Sequence, residues 1–234
     1  IWNASHRLVQ TLQYWPEGTV FVSVVDPGVG SERKSVVAKT KDGKYIVTPN
    51  NGTLTHIHLN IGIEEIREID ETKNRLPYSN DSYTFHGRDI YAFTGARLAT
   101  GVISYEEVGP KLDLEEISLL NTGEVKIENG NTIQGTIDIL DVRFGNLWTN
   151  IPKEDFENLG IKYGDTVELT INHDSRKVYS STVKYVKSFS EVNTGATLLY
   201  VNSLHKIGVA INQGSFSKAH QVDSGYQWKV EFKK

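Results

Sequence analysis

After residue 121 the chain turns into a series of short segments in which apolar and polar residues alternate. EVKIENG, NTIQGTIDILD, NLWTNI, DTVELTI, RKVYSSTVKYV, TLLYVN, KIGVAI and YQWKVEF follow one another, punctuated by Gly, Asn and Asp. Alternation with period two puts one face of each segment in a core and the other in water. A chain built this way folds as a small all-β barrel or sandwich. Only PKEDFENLG, 152–160, reads as a helix there, with proline near its start and glycine after its end.

The preceding part has a different pattern. Residues 3–15 place Leu8, Val9 and Leu12 on one helical face, and Pro16 and Gly18 stop that helix. FVSVV, 21–25, is apolar on both faces, as an interior strand would be. SVVAKT and KYIVTP flank Asp42-Gly43, a hairpin turn signal. TPNNGTLTHIHL gives a turn and a short helical piece, EEIREID (64–70) another strand, and LPYSNDS (76–82) a polar loop. A second helix spans 89–100 and ends at Gly101. The expectation is an α/β domain over 1–121 and a barrel-like all-β domain over 122–234, with the boundary near Asn121-Thr122-Gly123.

Composition narrows the function classes. A hydrophobic content of 38% over 234 residues suffices for a core in each domain. The net charge is −4 and basic residues do not cluster, which argues against a nucleic-acid partner. No apolar run is long enough to cross a membrane, no segment reads as a signal peptide, and cysteine is absent. The expected setting is the cytoplasm. The chain opens IWNASHRL without an initiator methionine, so it is expected to be the remainder of a longer one.

Three segments carry candidate chemistry. In VVDPGVGSERK an apolar run ends on Asp26, with Pro27, Gly28 and Gly30 constraining the turn. The aspartate either caps that turn or is aimed at a ligand beyond a strand end. In FHGRD, His86 precedes a helix, as a base, a proton relay or a locally satisfied turn residue. In DVRFGNLWTN, Asp141, Phe144, Asn146 and Trp148 surround one glycine. They suit a purine or a cationic ligand, or are barrel aromatics beside a turn. His56 and His58 form H-x-H without a third ligand at suitable spacing, so no metal site is expected. The remaining histidines are read as ordinary. LLYVNSLHKIGVAINQGS, 198–215, signals hairpins and nothing more.

VVDPGVGSER, TPNNG, TFHGRDI, FGNLWTNI and NSLHKIGVAIN, in this order and spacing, resemble the S-adenosyl-L-methionine (SAM) hydroxide adenosyltransferase family, relatives of the SAM-dependent fluorinases and chlorinases. The resemblance implies an α/β domain followed by a β-barrel and a homotrimer. It also implies active sites between the first domain of one subunit and the second of its neighbour. SAM would be substrate and adenosine and L-methionine products, with no cofactor or metal. The family's catalytic triad falls on Asp26, Arg33 and His86. The halogenating relatives carry tyrosine in place of Asp26 and a halide-binding serine in place of Gly87, so this chain follows the hydroxide type.

By the same resemblance Phe85 lines the C5′ region. Asp141 and Asn146 bind around the methionine portion, with Phe144 and Trp148 walling the pocket. Ser203 holds the methionine carboxylate, although Leu204 stands where the halogenases have arginine. Backbone groups near Ile211 and Gln213 read the adenine edge. The family's opening strand, with the aspartate that grips the ribose, is not in this sequence. The alternatives are a chlorinase, a SAM or adenosine sensor without turnover, and a structural trimer with vestigial sites.

Overall fold

The structure is a computed structural model and describes residues 1–79, 81 and 83–234. Its chain forms two compact units, Ile1–Leu120 and Asn121–Lys234. Among the described residues no helix is long and apolar enough to cross a membrane.

The first unit is α/β. Its elements are α1 (Trp2–Leu12), β1 (Val20–Val22), β2 (Ser35–Thr40), β3 (Tyr45–Pro49), α2 (Thr55–Asn60), β4 (Ile63–Glu68), α3 (Phe93–Ala99) and β5 (Lys111–Leu112). The sheet order is β1-β3-β2-β4-β5, with β1 and β3 parallel and the other pairs antiparallel. The Asp42-Gly43 signal produces the β2–β3 hairpin, and Gly43 has φ +76°. Val36, Ala38, Ile46 and Ile66 pack with Leu8, Leu12 and Ile57 of the helices. On the other face Val37 and Val47 pack with Ile69, Ile90 and Tyr91.

The strand apolar on both faces and buried in the middle of the sheet is therefore β2, not the segment 21–25. Strand pairing there ends at β1 on the sheet edge; Ser23 N–H still donates to Val47 C=O, but Val24 and Val25 are 38% and 42% exposed. An apolar run by itself does not say which neighbours cover it. The helix expected at 89–100 starts earlier, as a π-helical turn at Gly87–Ala92 that continues into α3. Of the polar loop expected at 76–82, Asn80 and Ser82 lie outside the described residues.

The second unit is the β-barrel. Its elements are β6 (Lys126–Glu128), β7 (Thr132–Asp141), β8 (Asn146–Pro152), α4 (Lys153–Asn158), β9 (Thr166–His173), β10 (Arg176–Tyr185), β11 (Thr197–Val201), β12 (Lys206–Ile211), α5 (Phe216–His220) and β13 (Gly225–Lys233). The sheet runs β13-β9-β10-β11-β12-β8-β7-β6, and the additional β13–β7 pairing closes it, leaving β6 outside the ring. Closure removes the open edges that a flat sheet of this length would expose. Ile133, Leu147, Ile171, Val183, Val209, Phe216 and Phe232 fill the interior, with Phe156 of α4 among them.

The helix expected at 152–160 is α4, but α5 was not foreseen. It is only five residues long, too short for a 3.6-residue pattern to show. Its signal was Ser215, whose side chain accepts from Lys218 N–H as an N-cap.

Candidate active site

The segment after β1 is anchored before it turns. Asn51 Nδ2 donates to Val25 C=O at 2.9 Å, so the TPNNG segment holds the strand end that carries Asp26. Two tight turns follow, with Val29 N–H bonded to Asp26 C=O and Ser31 N–H to Gly28 C=O. Gly30 sits at φ +81°, the conformation glycine supplies at least cost. The turns bring Arg33 back onto Asp26. Arg33 Nε donates to Oδ1 at 2.8 Å and Nη2 donates to Oδ2. The two side chains are 11% and 5% exposed. A paired carboxylate and guanidinium in this planar geometry fix each other's orientation and keep a charge tolerable away from water.

His86 stands at the N-terminus of the π-helical turn, 7% exposed. Its Nδ1 lies 3.5 Å from Arg33 Nη2. A guanidinium has no acceptor, so Nδ1 must be the acceptor, which assigns the proton of the neutral ring to Nε2. That Nε2 is buried and has no hydrogen-bond partner among the described residues. Burial lowers the pKa of His86; Arg75 and Arg33 lower it further, while Glu71 and Asp26 oppose them. The structure thus brings Asp26, Arg33 and His86, 53 residues apart between Arg33 and His86, into one cluster.

Around this cluster lie residues that the sequence did not single out. Arg33 Nη1 donates to Ser35 Oγ at 3.2 Å, and Ser35 Oγ is 3.1 Å from both Glu71 Oε1 and Tyr91 Oη. Burial pushes the Tyr91 phenol up to about 12, so it stays protonated. Asp89 of the FHGRD segment is fully buried and held by Arg88 Nε at 2.6 Å and Nη2 at 3.2 Å. The Arg88 contact holds its pKa below the usual carboxylate range. Phe85 is 58% exposed and shares a cleft of about 250 Å³ with Asp26, Val29 and Gly87.

In the barrel unit a cavity of about 760 Å³ is lined by Asp141, Phe144, Asn146, Trp148, Ser203, Ile211 and Gln213. All the barrel residues singled out from the sequence therefore face one space, of a size that suits a small ligand. The β7–β8 turn builds one wall. Gly145 has φ +71°, and a Cβ there would lie 1.8 Å from Ser215 Oγ, so only glycine lets α5 approach this turn. Phe189, Tyr200 and Asn202 also line the cavity and were missed. Gly208 of β12 pairs with both Trp148 of β8 and Tyr200 of β11. Because it lacks a side chain, the Tyr200 ring can lie across it, and Trp148 Nε1 donates to Tyr200 Oη at 2.9 Å. Asn202 Oδ1 accepts from the Leu204 and Lys206 amides, and its Nδ2 is buried with no partner among the described residues. Asn146 Oδ1 is likewise buried with no partner among the described residues. The cavity wall thus combines aromatic rings with the polar side chains of Asp141, Ser203 and Gln213.

Among the described residues no group of three or more His, Cys, Asp or Glu side chains could hold a metal ion. His56 is engaged in the packing of α1 on α2: its N–H and Nδ1 both meet Ser5 Oγ, at 3.0 and 2.9 Å.

The family descriptions of the SAM hydroxide adenosyltransferase N-terminal and C-terminal domains match residues 1–109 and 135–229. A Methanocaldococcus jannaschii protein named (R)-S-adenosyl-L-methionine hydrolase is 34% identical over 95% of this chain and 75% of its own length. A protein of Actinopolyspora mzabensis named fluorinase is 26% identical over 98% of this chain and 83% of its own. The crystal structure of a conserved protein from Thermotoga maritima superposes with a TM-score of 0.86 at 35% identity, covering 100% of this chain and 84% of that one. With both domain descriptions matched over most of its length, and with a hydrolase relative above 30% identity, the chain belongs to the SAM hydroxide adenosyltransferase family.

Proposed function

We propose that the protein hydrolyses SAM to adenosine and L-methionine. The observation that carries this reading is the Asp26–Arg33–His86 cluster, in a chain whose relatives include proteins named for SAM hydrolysis. The oxygen of a water attacks C5′ as the C5′–S bond breaks. The electron pair of that bond goes to sulfur, turning a sulfonium into a neutral thioether, so the leaving group needs no acid. The demand falls on the nucleophile, because hydroxide is scarce at neutral pH. Lone pairs of Asp26 not used by Arg33 take the water proton, which passes to solvent. The Nε2–H of His86 holds the water oxygen, satisfying an atom that is costly to bury alone. Arg33 keeps Asp26 aimed.

The barrel cavity receives the nucleoside and the amino-acid end. Phe144 and Trp148 supply stacking surfaces, Asp141 and Asn146 meet the methionine portion, Ser203 meets its carboxylate, and Ile211 and Gln213 the adenine edge. Phe85, beside Asp26, lines the approach to C5′. The Asp26 cluster belongs to one compact unit and the cavity to the other. A homotrimer with sites at subunit interfaces belongs to this reading by the family resemblance alone. The reading includes a cytoplasmic setting, which a sequence without cysteine fits. No cofactor takes part in this scheme.

Incubation of the purified protein with SAM in chloride buffer, followed by chromatography, tests the reading. Adenosine and methionine are the expected products. Formation of 5′-chloro-5′-deoxyadenosine would redirect it to halogenation, and saturable adenosine binding without product would make it a sensor. Light scattering should give three times the 26.2 kDa of one chain; a monomeric mass with full activity would rule out the shared site.

A further inference from the structure

We infer that Glu71, acting through the hydroxyl of Ser35, is a positioning residue that sets the Arg33 guanidinium between Asp26 and His86. The inference rests on the hydrolase reading and extends it to a residue behind the reacting groups. Arg33 uses Nε and Nη2 on Asp26, and Nη2 also faces His86. Its remaining nitrogen, Nη1, donates to Ser35 Oγ at 3.2 Å. Rotation of the guanidinium plane is therefore controlled from two sides, and Ser35 is the side away from Asp26.

A serine hydroxyl has one proton to give. Ser35 Oγ has three polar neighbours: Arg33 Nη1, Tyr91 Oη at 3.1 Å and Glu71 Oε1 at 3.1 Å. Arg33 can only donate and an ionised Glu71 can only accept. The serine proton therefore goes to Glu71, both serine lone pairs face the remaining donors, and Tyr91 donates its own proton to Ser35. The Arg33, Tyr91 and Glu71 contacts to Ser35 are thus all compatible, and the direction of each bond follows from the acceptor Glu71. Glu71 is held in turn by Arg75 Nη2 at 3.2 Å. Ser35 is 3% exposed and Tyr91 is fully buried, so water does not substitute easily for either contact. Glu71 itself borders a cleft of about 560 Å³ that also reaches Arg33 and Ser35.

Glu71 also acts on His86 by charge. The charged groups around this imidazole are Glu71, Arg75, Arg33 and Asp26, with Asp89 on its own helical turn. Burial lowers the His86 pKa, and Glu71 is the strongest influence opposing it. Removing its charge must lower that pKa further, so the imidazole stays neutral to a lower pH.

Two variants separate positioning from simple packing. Ser35→Ala should lower kcat for adenosine release about ten- to hundredfold with KM for SAM little changed, because the reacting groups are misaligned while the ligand pocket is intact. Glu71→Gln, at a site 38% exposed, should fold normally and keep the His86 imidazole neutral to a lower pH. The His86 titration, followed by NMR with labelled histidine and assigned with His86→Gln, should move the same way. A kcat within twofold of wild type in Ser35→Ala, or an unmoved His86 titration in Glu71→Gln, would overturn the inference. If the wild-type protein released no adenosine, the hydrolase reading would fall alone, and the His86 titration would still judge the Glu71 contact.

Discussion

Replacing Asp26 by asparagine should lower kcat for adenosine release by about 10²–10⁴-fold, the usual worth of a positioned general base. The substitution keeps the shape of the side chain and removes its charge. Asparagine can accept from Arg33 at its carbonyl oxygen, but its amide would present a donor to a guanidinium nitrogen that now donates to Asp26 Oδ2. Both the acceptor for the water proton and the paired geometry are lost. In the proposed scheme Asp26 meets the nucleophile rather than the nucleoside, so KM for SAM should move little. Chromatographic rate measurement, with circular dichroism to confirm folding, decides the matter. An unaltered rate in a folded variant would remove Asp26 from the mechanism.

The second large effect concerns the barrel. Phe156→Ala should destabilise the Asn121–Lys234 unit by about 3–5 kcal/mol, the range for emptying a fully buried aromatic site. Phe156 has no exposed surface and meets Tyr185 and Phe232 edge to face, with ring centroids 5.1 and 5.3 Å away at 72° and 85°. Such contacts add to the burial of the ring itself. The ring comes from α4, a six-residue helix between β8 and β9, so no strand can move to fill the space. Denaturant unfolding followed by Trp148 and Trp228 fluorescence, in a background with Trp2 and Trp15 replaced by Phe, reads this unit. A loss below ~1 kcal/mol would mean that the barrel core closes without Phe156.

The division of the chain into an α/β part and a barrel was legible because both signals are local. The period-two character of EVKIENG through YQWKVEF marks short strands, and Asp42-Gly43 states where a hairpin turns. The candidate residues were legible unequally. Asp26 stood out because a charge ends an apolar run, and Trp148 and Phe144 because rings flank a glycine. Ser35 sits inside an ordinary strand sequence and Glu71 in an ordinary polar stretch, with nothing in either to mark them. Tyr200 and Asn202 likewise look like parts of a hairpin until Gly208 is seen between Tyr200 and Trp148.

By itself the sequence determined the order and kind of the elements, the turn chemistry around Asp26, and the set of motifs that places the chain in its family. These depend on backbone preferences and on faces repeated within a few residues. Only the tertiary structure decided that β2 rather than the segment 21–25 is the central strand, since burial depends on elements that arrive later in the chain. It alone decided that Arg33 reaches Asp26, His86 and Ser35 together, and that Glu71 stands behind them. A hydrogen bond between distant residues is made by folding, and its geometry is written in no stretch short enough to read.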